Sequence, residues 1–314
     1  MAARADDQKR KEEFLKSQAP FTTNALKIII QMVDWCNKTP GSKDLVDEML
    51  HSILFLGKIN PVSFSPKDII PDPDMLNALK EKYSRAFDCY LTHLPRRSPF
   101  SFVLDMIVLQ KKPENENQIK TSLQSLVQTL DPQFLVSTTL CVSKSNRSVS
   151  RYGVSMSTTG PNAGQVVIAA SCLSFWDDYV AGAVMTYYPE RGHEKDKGKK
   201  EYFDGTFQLP KDVACQAYNI QSEQPIDPCK SCGNMFGLST DVKKEWPYGN
   251  CAEVESLSNM FTNEEEVKNR SKPTSEKWTP ENRQKASESV LDKLNHVLKM
   301  VNFRTWKGGF YTAQ

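Results

Sequence analysis

Residues 228–261 read PCKSCGNMFGLSTDVKKEWPYGNCAEVESLSNMF. Cys229 and Cys232 form a Cys-x-x-Cys pair, whose turn brings two sulfur atoms to the same side of the chain. Cys251 follows after eighteen intervening residues and opens a segment whose apolar side chains recur at the three- and four-residue spacing of a helix. A proline precedes Cys229 and a Gly-Asn pair precedes Cys251, and both are typical of helix starts. The segment therefore predicts two cysteine-bearing helix N-termini.

Three thiolates that converge in this way predict a zinc site. The partial positive charge of two helix N-termini favours the thiolate form and lowers the pKa of a cysteine. Zn²⁺ bound by only three protein ligands keeps a fourth position for water and lowers that water's pKa towards about 7. Glu253 lies in the same first helical turn as Cys251, within reach of that fourth position. Its carboxylate is the candidate general acid and base.

The two motifs resemble the zinc signatures of the cytidine deaminase superfamily. Cys251-Ala-Glu253 and Pro228-Cys-x-x-Cys232 match the family's Cys-Ala-Glu and Pro-Cys-x-x-Cys elements. The resemblance implies that Cys229, Cys232 and Cys251 bind zinc and that Glu253 moves protons during hydrolytic deamination of cytosine in a nucleoside or nucleic acid. The order of the motifs is reversed relative to the family, which implies a permuted connection or convergence.

Aromatic residues next to the cluster are candidates for substrate binding. Trp246 and Tyr248 lie in the turn that leads into Cys251, which places them near the metal. A deaminase pocket requires side chains on which a base can stack. Packing in the core is the alternative explanation for both residues.

Two other interpretations of the cysteines stay open. Cys215 lies upstream and would complete a closed four-thiolate set, which would be a structural site without catalysis. The thiols could also bind no metal, because isolated Cys-x-x-Cys pairs occur by chance or as redox motifs. With a structural site, the protein would be a non-catalytic zinc-stabilised interaction module whose N-terminal helical region binds a protein partner.

Composition restricts the class of protein. The 314 residues are 39% hydrophobic and 25% charged, which is ordinary for a globular chain. A net charge of +2 gives no support for strong sequence-independent binding to nucleic acid. No apolar segment approaches the roughly 20 residues that cross a bilayer, so no membrane partner is expected. Eight cysteines without a visible export signal favour reduced thiols in the cytosol or nucleus.

The periodicity of apolar residues predicts an α/β fold. Residues 1–97 carry helical spacing and form a predicted helical N-terminal region, whereas residues 98–314 form a deaminase-like domain with a mixed sheet flanked by helices. The final helix begins at Thr279-Pro280. Arg191–Glu201 reads as a solvated loop or as a basic lip over a polyanionic substrate. The predicted strands are Phe102–Leu109, Phe134–Val142, Val149–Ser157, Gln165–Cys172, Phe203–Leu209 and Val213–Ile220.

Overall fold

A computed structural model describes residues 2–146, 149–189 and 198–313, with side chains described from residue 19 onward. Most of the predicted loop at 191–201 lies outside the described residues. The helices are α1 Ala2–Lys38, α2 Lys43–Ile59, α3 Pro66–Ile69, α4 Pro73–Lys82, α5 Ser84–Cys89, α6 Pro99–Lys111, α7 Glu116–Val127, α8 Pro161–Ser174, α9 Asp178–Tyr187, α10 Lys230–Phe236, α11 Ala252–Asn263, α12 Glu265–Arg270 and α13 Pro280–Met300. The strands are β1 Thr139–Ser145, β2 Arg151–Val154, β3 Val213–Asn219 and β4 Pro225–Ile226.

The strands form one sheet in the order β2-β1-β3-β4. Each pairing among the described residues is antiparallel, with Cys141 opposite Gly153 and Ser143 opposite Cys215. The predicted α/β class with a sheet flanked by helices is confirmed, but the sheet, predicted to be mixed, is antiparallel throughout the described strands. The strands predicted near 134–142, 149–157 and 213–220 correspond to β1, β2 and β3.

Two predicted strands are helices in the structure. Phe102–Leu109 lies within α6 and Gln165–Cys172 lies within α8. Most residues of both helices are buried, so their apolar residues form a nearly continuous run that periodicity cannot distinguish from a buried strand. The decisive signal is a proline at the first helical position, Pro99 in α6 and Pro161 in α8.

The predicted strand at Phe203–Leu209 is also wrong, because this segment joins no sheet in the described structure. Its amides bond to the end of α10 instead, with Phe207 N donating to Met235 O at 3.0 Å and Leu209 N donating to Phe236 O at 3.2 Å. Phe203 and Phe207 are buried, so the apolar pattern reflects packing against helices.

Helix α11 packs across β2, β1 and β3 and thereby places its first turn against the sheet. The approach is closest at Gly153, where an added Cβ would lie 2.2 Å from Ser256 N and 2.6 Å from Ala252 O. The Ser256 hydroxyl lies 2.7 Å from Ser143 Oγ and donates to Arg151 O at 3.0 Å. Glycine at this position therefore allows the backbone of α11 to lie this close to the sheet.

The N-terminal helices share their core with the rest of the chain. Buried side chains from both sides of position 97, such as Ile53, Leu104 and Val166, belong to one hydrophobic cluster. The C-terminal segment returns to Leu94, whose carbonyl accepts from Tyr311 N at 2.8 Å. The division into regions 1–97 and 98–314 stays a prediction. No helix among the described residues combines the length and apolar character needed to span a bilayer.

Candidate metal centre

Three cysteine sulfurs converge where two helices begin. Cys229 is the N-cap residue of α10 and Cys251 is the N-cap residue of α11, which confirms the predicted helix starts. Cys229 Sγ lies 3.6 Å from Cys232 Sγ and 3.3 Å from Cys251 Sγ. The cluster joins residues that are 22 positions apart in the chain.

The spacing of the sulfurs suits a metal ion. The three Sγ atoms lie within 4.8 Å of one another. They form the one group of at least three potential metal ligands, from His, Cys, Asp or Glu, that is found among the described residues. Tetrahedral coordination with metal–sulfur bonds of about 2.3 Å separates neighbouring sulfurs by about 3.8 Å. Cys229, Cys232 and Cys251 are therefore close enough to hold a metal ion.

Local electrostatics favour a thiolate in this cluster. Contacts with the thiols of Cys232 and Cys251, together with the backbone N–H groups of Ser231 and Cys232, lower the pKa of Cys229 to about 2. Contact with Cys229 raises the pKa of Cys232 and of Cys251. The neighbouring thiols, with a smaller contribution from the backbone N–H groups of α10, thus stabilise negative charge on the Cys229 sulfur, as cation binding requires.

Glu253 lies beside the cluster without belonging to it. Its side chain is in the first turn of α11 and the residue is only 5% exposed. Burial raises the pKa of the Glu253 carboxyl to about 7, although its own backbone N–H and the Cys232 thiol favour the charged form. The Glu253 carboxylate oxygens do not belong to the group of potential metal ligands formed by Cys229, Cys232 and Cys251 among the described residues. The geometry thus puts a buried carboxyl next to three potential ligands.

Cys215, the proposed fourth ligand of a closed site, contacts a different cysteine. Its Sγ lies 3.5 Å from Cys141 Sγ on the neighbouring strand, and it is absent from the group of close ligand atoms in the described structure. Cys141 itself is fully buried. Burial raises the pKa of Cys141, and so does the nearby charge of Glu253. Cys141 and Cys215 therefore contact each other and lie outside the cysteine triad of the described residues.

The two candidate aromatic residues have different environments. Trp246 is 46% exposed, and the Lys244 ammonium lies 3.6 Å from the centre of its ring. Tyr248 is buried and stacks on Tyr187 with 4.0 Å between ring centres. The Tyr248 hydroxyl donates to Glu245 and accepts from Asn234 Nδ2 at 2.9 Å.

A cavity of about 580 Å³, here called the Asn250 cavity, adjoins the metal centre. Asn250 lines this cavity and directly precedes Cys251, the N-cap residue of α11. The Asn250 carbonyl accepts a hydrogen bond at 2.9 Å from the backbone N–H of Met156, which also lines the cavity. Tyr248 lines this cavity, whereas Trp246 is not among the wall residues. None of the three cluster cysteines is among the described wall residues.

Sequence reasoning missed a buried ion network that anchors the first turns of α11. Glu255 Oε1 accepts from Arg97 Nε at 3.0 Å and from Arg97 Nη2 at 2.8 Å, and Glu255 Oε2 accepts from Val154 N at 2.9 Å. Arg97 also donates to Asp105 Oδ2 at 2.5 Å. Burial lowers the pKa of Arg97, but the two carboxylates outweigh it and raise the pKa overall. The only sequence signal was the second acid two residues after Glu253.

Comparison of the chain with protein-family models, curated proteins and solved structures found no match. The class that the fold and site define is therefore an α/β protein with a cysteine triad able to hold a metal ion.

Proposed function

We propose that the protein is a zinc-dependent hydrolytic deaminase acting on cytosine in a nucleoside or nucleic acid. One observation carries the proposal. A buried carboxyl, Glu253, lies beside three converging sulfurs while remaining outside the ligand group of the described residues. A structural zinc site has four protein ligands and does not use a neighbouring acid, whereas a hydrolytic site has three protein ligands and needs a proton carrier.

The ligands and the acid have separate tasks in this proposal. Cys229, Cys232 and Cys251 would hold Zn²⁺, whose chemistry when bound is the activation of a water molecule at neutral pH. The Glu253 carboxylate would take one proton from the attacking water and deliver it to ring nitrogen N3 as the water oxygen bonds to C4 of cytosine. It would then move the second proton, from the new C4 hydroxyl, to the amino group, which leaves as ammonia when the C4–N bond breaks. Cytosine and water are thereby converted into uracil and ammonia. The site needs reduced cysteines, and cysteines stay reduced in the cytosol and nucleus, so we propose that the protein acts in one of these compartments.

The zinc-loaded Glu253→Gln protein should release ammonia from cytosine compounds about 10²–10⁴ times more slowly than the wild type. Glutamine keeps the size of the side chain but cannot carry the proton. Zinc content, measured by mass spectrometry of the metal, should stay at the wild-type level because Glu253 is not a ligand. Cytidine, a cytidine nucleotide and a cytosine-containing oligonucleotide should be assayed, with adenosine as the comparison.

Cys215→Ala is the matched control for this experiment. The Cys215 thiol contacts Cys141 and not the three candidate ligands, so its removal should leave both the zinc content and the rate of ammonia release unchanged. A wild-type protein that binds zinc but releases no ammonia from any of these compounds would contradict the proposal. A Glu253→Gln protein with the wild-type rate would do the same.

The second candidate function is a non-catalytic, zinc-stabilised interaction module with a protein partner for residues 1–97. The observation favouring it is the burial of the cluster, because Cys232 is fully buried and the walls of the Asn250 cavity contain none of the described cluster cysteines. In that case chelation of zinc would lower the melting temperature, and no ammonia would be released under any condition.

A further inference from the structure

The Asn250 cavity is built from six separate parts of the chain. They are the segment 133–136 before β1, the segment that follows β2, one face of the first two turns of α8, Tyr188 after α9, the turn at 247–250 and Lys293 of α13. Its volume of about 580 Å³ falls in the range of pockets that enclose small organic ligands. The turn at 247–250 leads directly into Cys251, so a ligand in this cavity would lie against the start of α11.

Two buried polar atoms of the wall lack a hydrogen-bond partner among the described residues. They are Ser157 Oγ, in a residue that is only 6% exposed, and Gln165 Oε1. The Gln165 carbonyl accepts from the Tyr188 hydroxyl at 3.0 Å, which holds the backbone of α8 and leaves the side-chain amide oxygen unused. Buried polar atoms in proteins nearly always have partners. A ligand that donates and accepts hydrogen bonds would supply them.

The wall also carries an uncompensated charge. Lys293 is the one charged side chain among the described wall residues, and no carboxylate accompanies it there. It is half-buried, and no salt bridge with it is found in the described part of the chain. A single cation at the edge of an otherwise neutral pocket favours an anionic group on the ligand.

We propose that the Asn250 cavity binds a cytidine monophosphate, with Lys293 at the phosphate and with Ser157 and Gln165 hydrogen-bonded to the nucleoside. The choice of cytosine rests on the proposed function, whereas the choice of a phosphorylated mononucleotide rests on Lys293 and on the size of the cavity. A net charge of +2 gives no support for strong sequence-independent binding of a long strand, which favours the mononucleotide over nucleic acid.

Calorimetric titration of the zinc-loaded Glu253→Gln protein tests this inference, because binding is then measured without turnover. Cytidine 5′-monophosphate should bind at least 10-fold more tightly than cytidine. Lys293→Met should remove that preference and Lys293→Arg should keep it. Lys285→Met, an exposed lysine on the same helix, is the matched control and should leave both affinities unchanged. Ser157→Ala should weaken the nucleotide and the nucleoside by the same factor.

The outcomes separate the two proposals. A Lys293-dependent preference for the monophosphate in a protein that never releases ammonia would support the cavity assignment and overturn the deaminase. Equal affinities for nucleotide and nucleoside, or a preference that survives Lys293→Met, would overturn the cavity assignment alone. Tighter binding of a cytosine oligonucleotide than of the monophosphate would also overturn it, in favour of a nucleic-acid strand.

Discussion

Replacing Cys232 with alanine should reduce bound zinc from about one ion per chain to a trace, because the variant keeps only two of the three thiolates. Cys232 is fully buried and its sulfur lies 3.6 Å from Cys229 Sγ, so water has little access to replace it. Zinc held by a complete set of protein ligands contributes roughly 10–16 kcal/mol in small zinc domains, and much of that contribution depends on each ligand. The melting temperature should fall together with the metal content.

Cys172→Ala is the control for this substitution. Cys172 is a buried thiol in α8 that does not belong to the ligand group, so its loss should cost only packing energy and leave the metal content unchanged. Metal analysis and thermal unfolding of both variants separate coordination from packing. A Cys232→Ala protein that retains a full complement of zinc would show that this cysteine is not a ligand.

The Gly153→Ala variant should lose stability, zinc and ammonia release together. The added methyl group would meet the backbone of α11 at 2.2 Å, a contact that no rotation of a side chain relieves. Helix α11 would have to move away from the sheet, and it carries Cys251 and Glu253 at its beginning. Overpacking of a core costs typically 1–3 kcal/mol and occasionally more, so we expect about 3 kcal/mol here.

Gly198→Ala provides the matched comparison, because an added Cβ there meets no atom of the described residues within 4 Å. Chemical denaturation and zinc analysis should show a wild-type protein for Gly198→Ala. If Gly153→Ala had the stability and zinc content of the wild type, the close packing of α11 on β2 would be wrong.

The metal centre could be predicted because the sequence motifs that indicate it are short and local. The Cys-x-x-Cys pair, the proline before it and the Gly-Asn pair before Cys251 each act within one turn of chain, and they identified both helix starts correctly. The α/β class followed from the alternation of helical and strand-like segments. That Cys251 meets Cys229 could be proposed only from the chemistry of the residues, since spacing does not determine long-range contacts.

Other parts of the site depend on contacts that no local pattern reveals. Arg97 and Glu255 are 158 positions apart, and neither residue type is expected in a core until its partner is known. Gly153 lies in a strand whose sequence gives no sign of the helix above it. The Asn250 cavity combines α8, which the pattern predicted as a strand, with Lys293 from the final helix, so its composition appears only once the chain is folded.

X-ray absorption spectroscopy at the zinc edge tests the central claim most directly, because it counts the sulfur atoms around the metal. We predict three sulfur neighbours at about 2.3 Å and one lighter atom, oxygen or nitrogen, at about 2.0 Å. Four sulfur neighbours, or a metal bound with no sulfur at all, would contradict it.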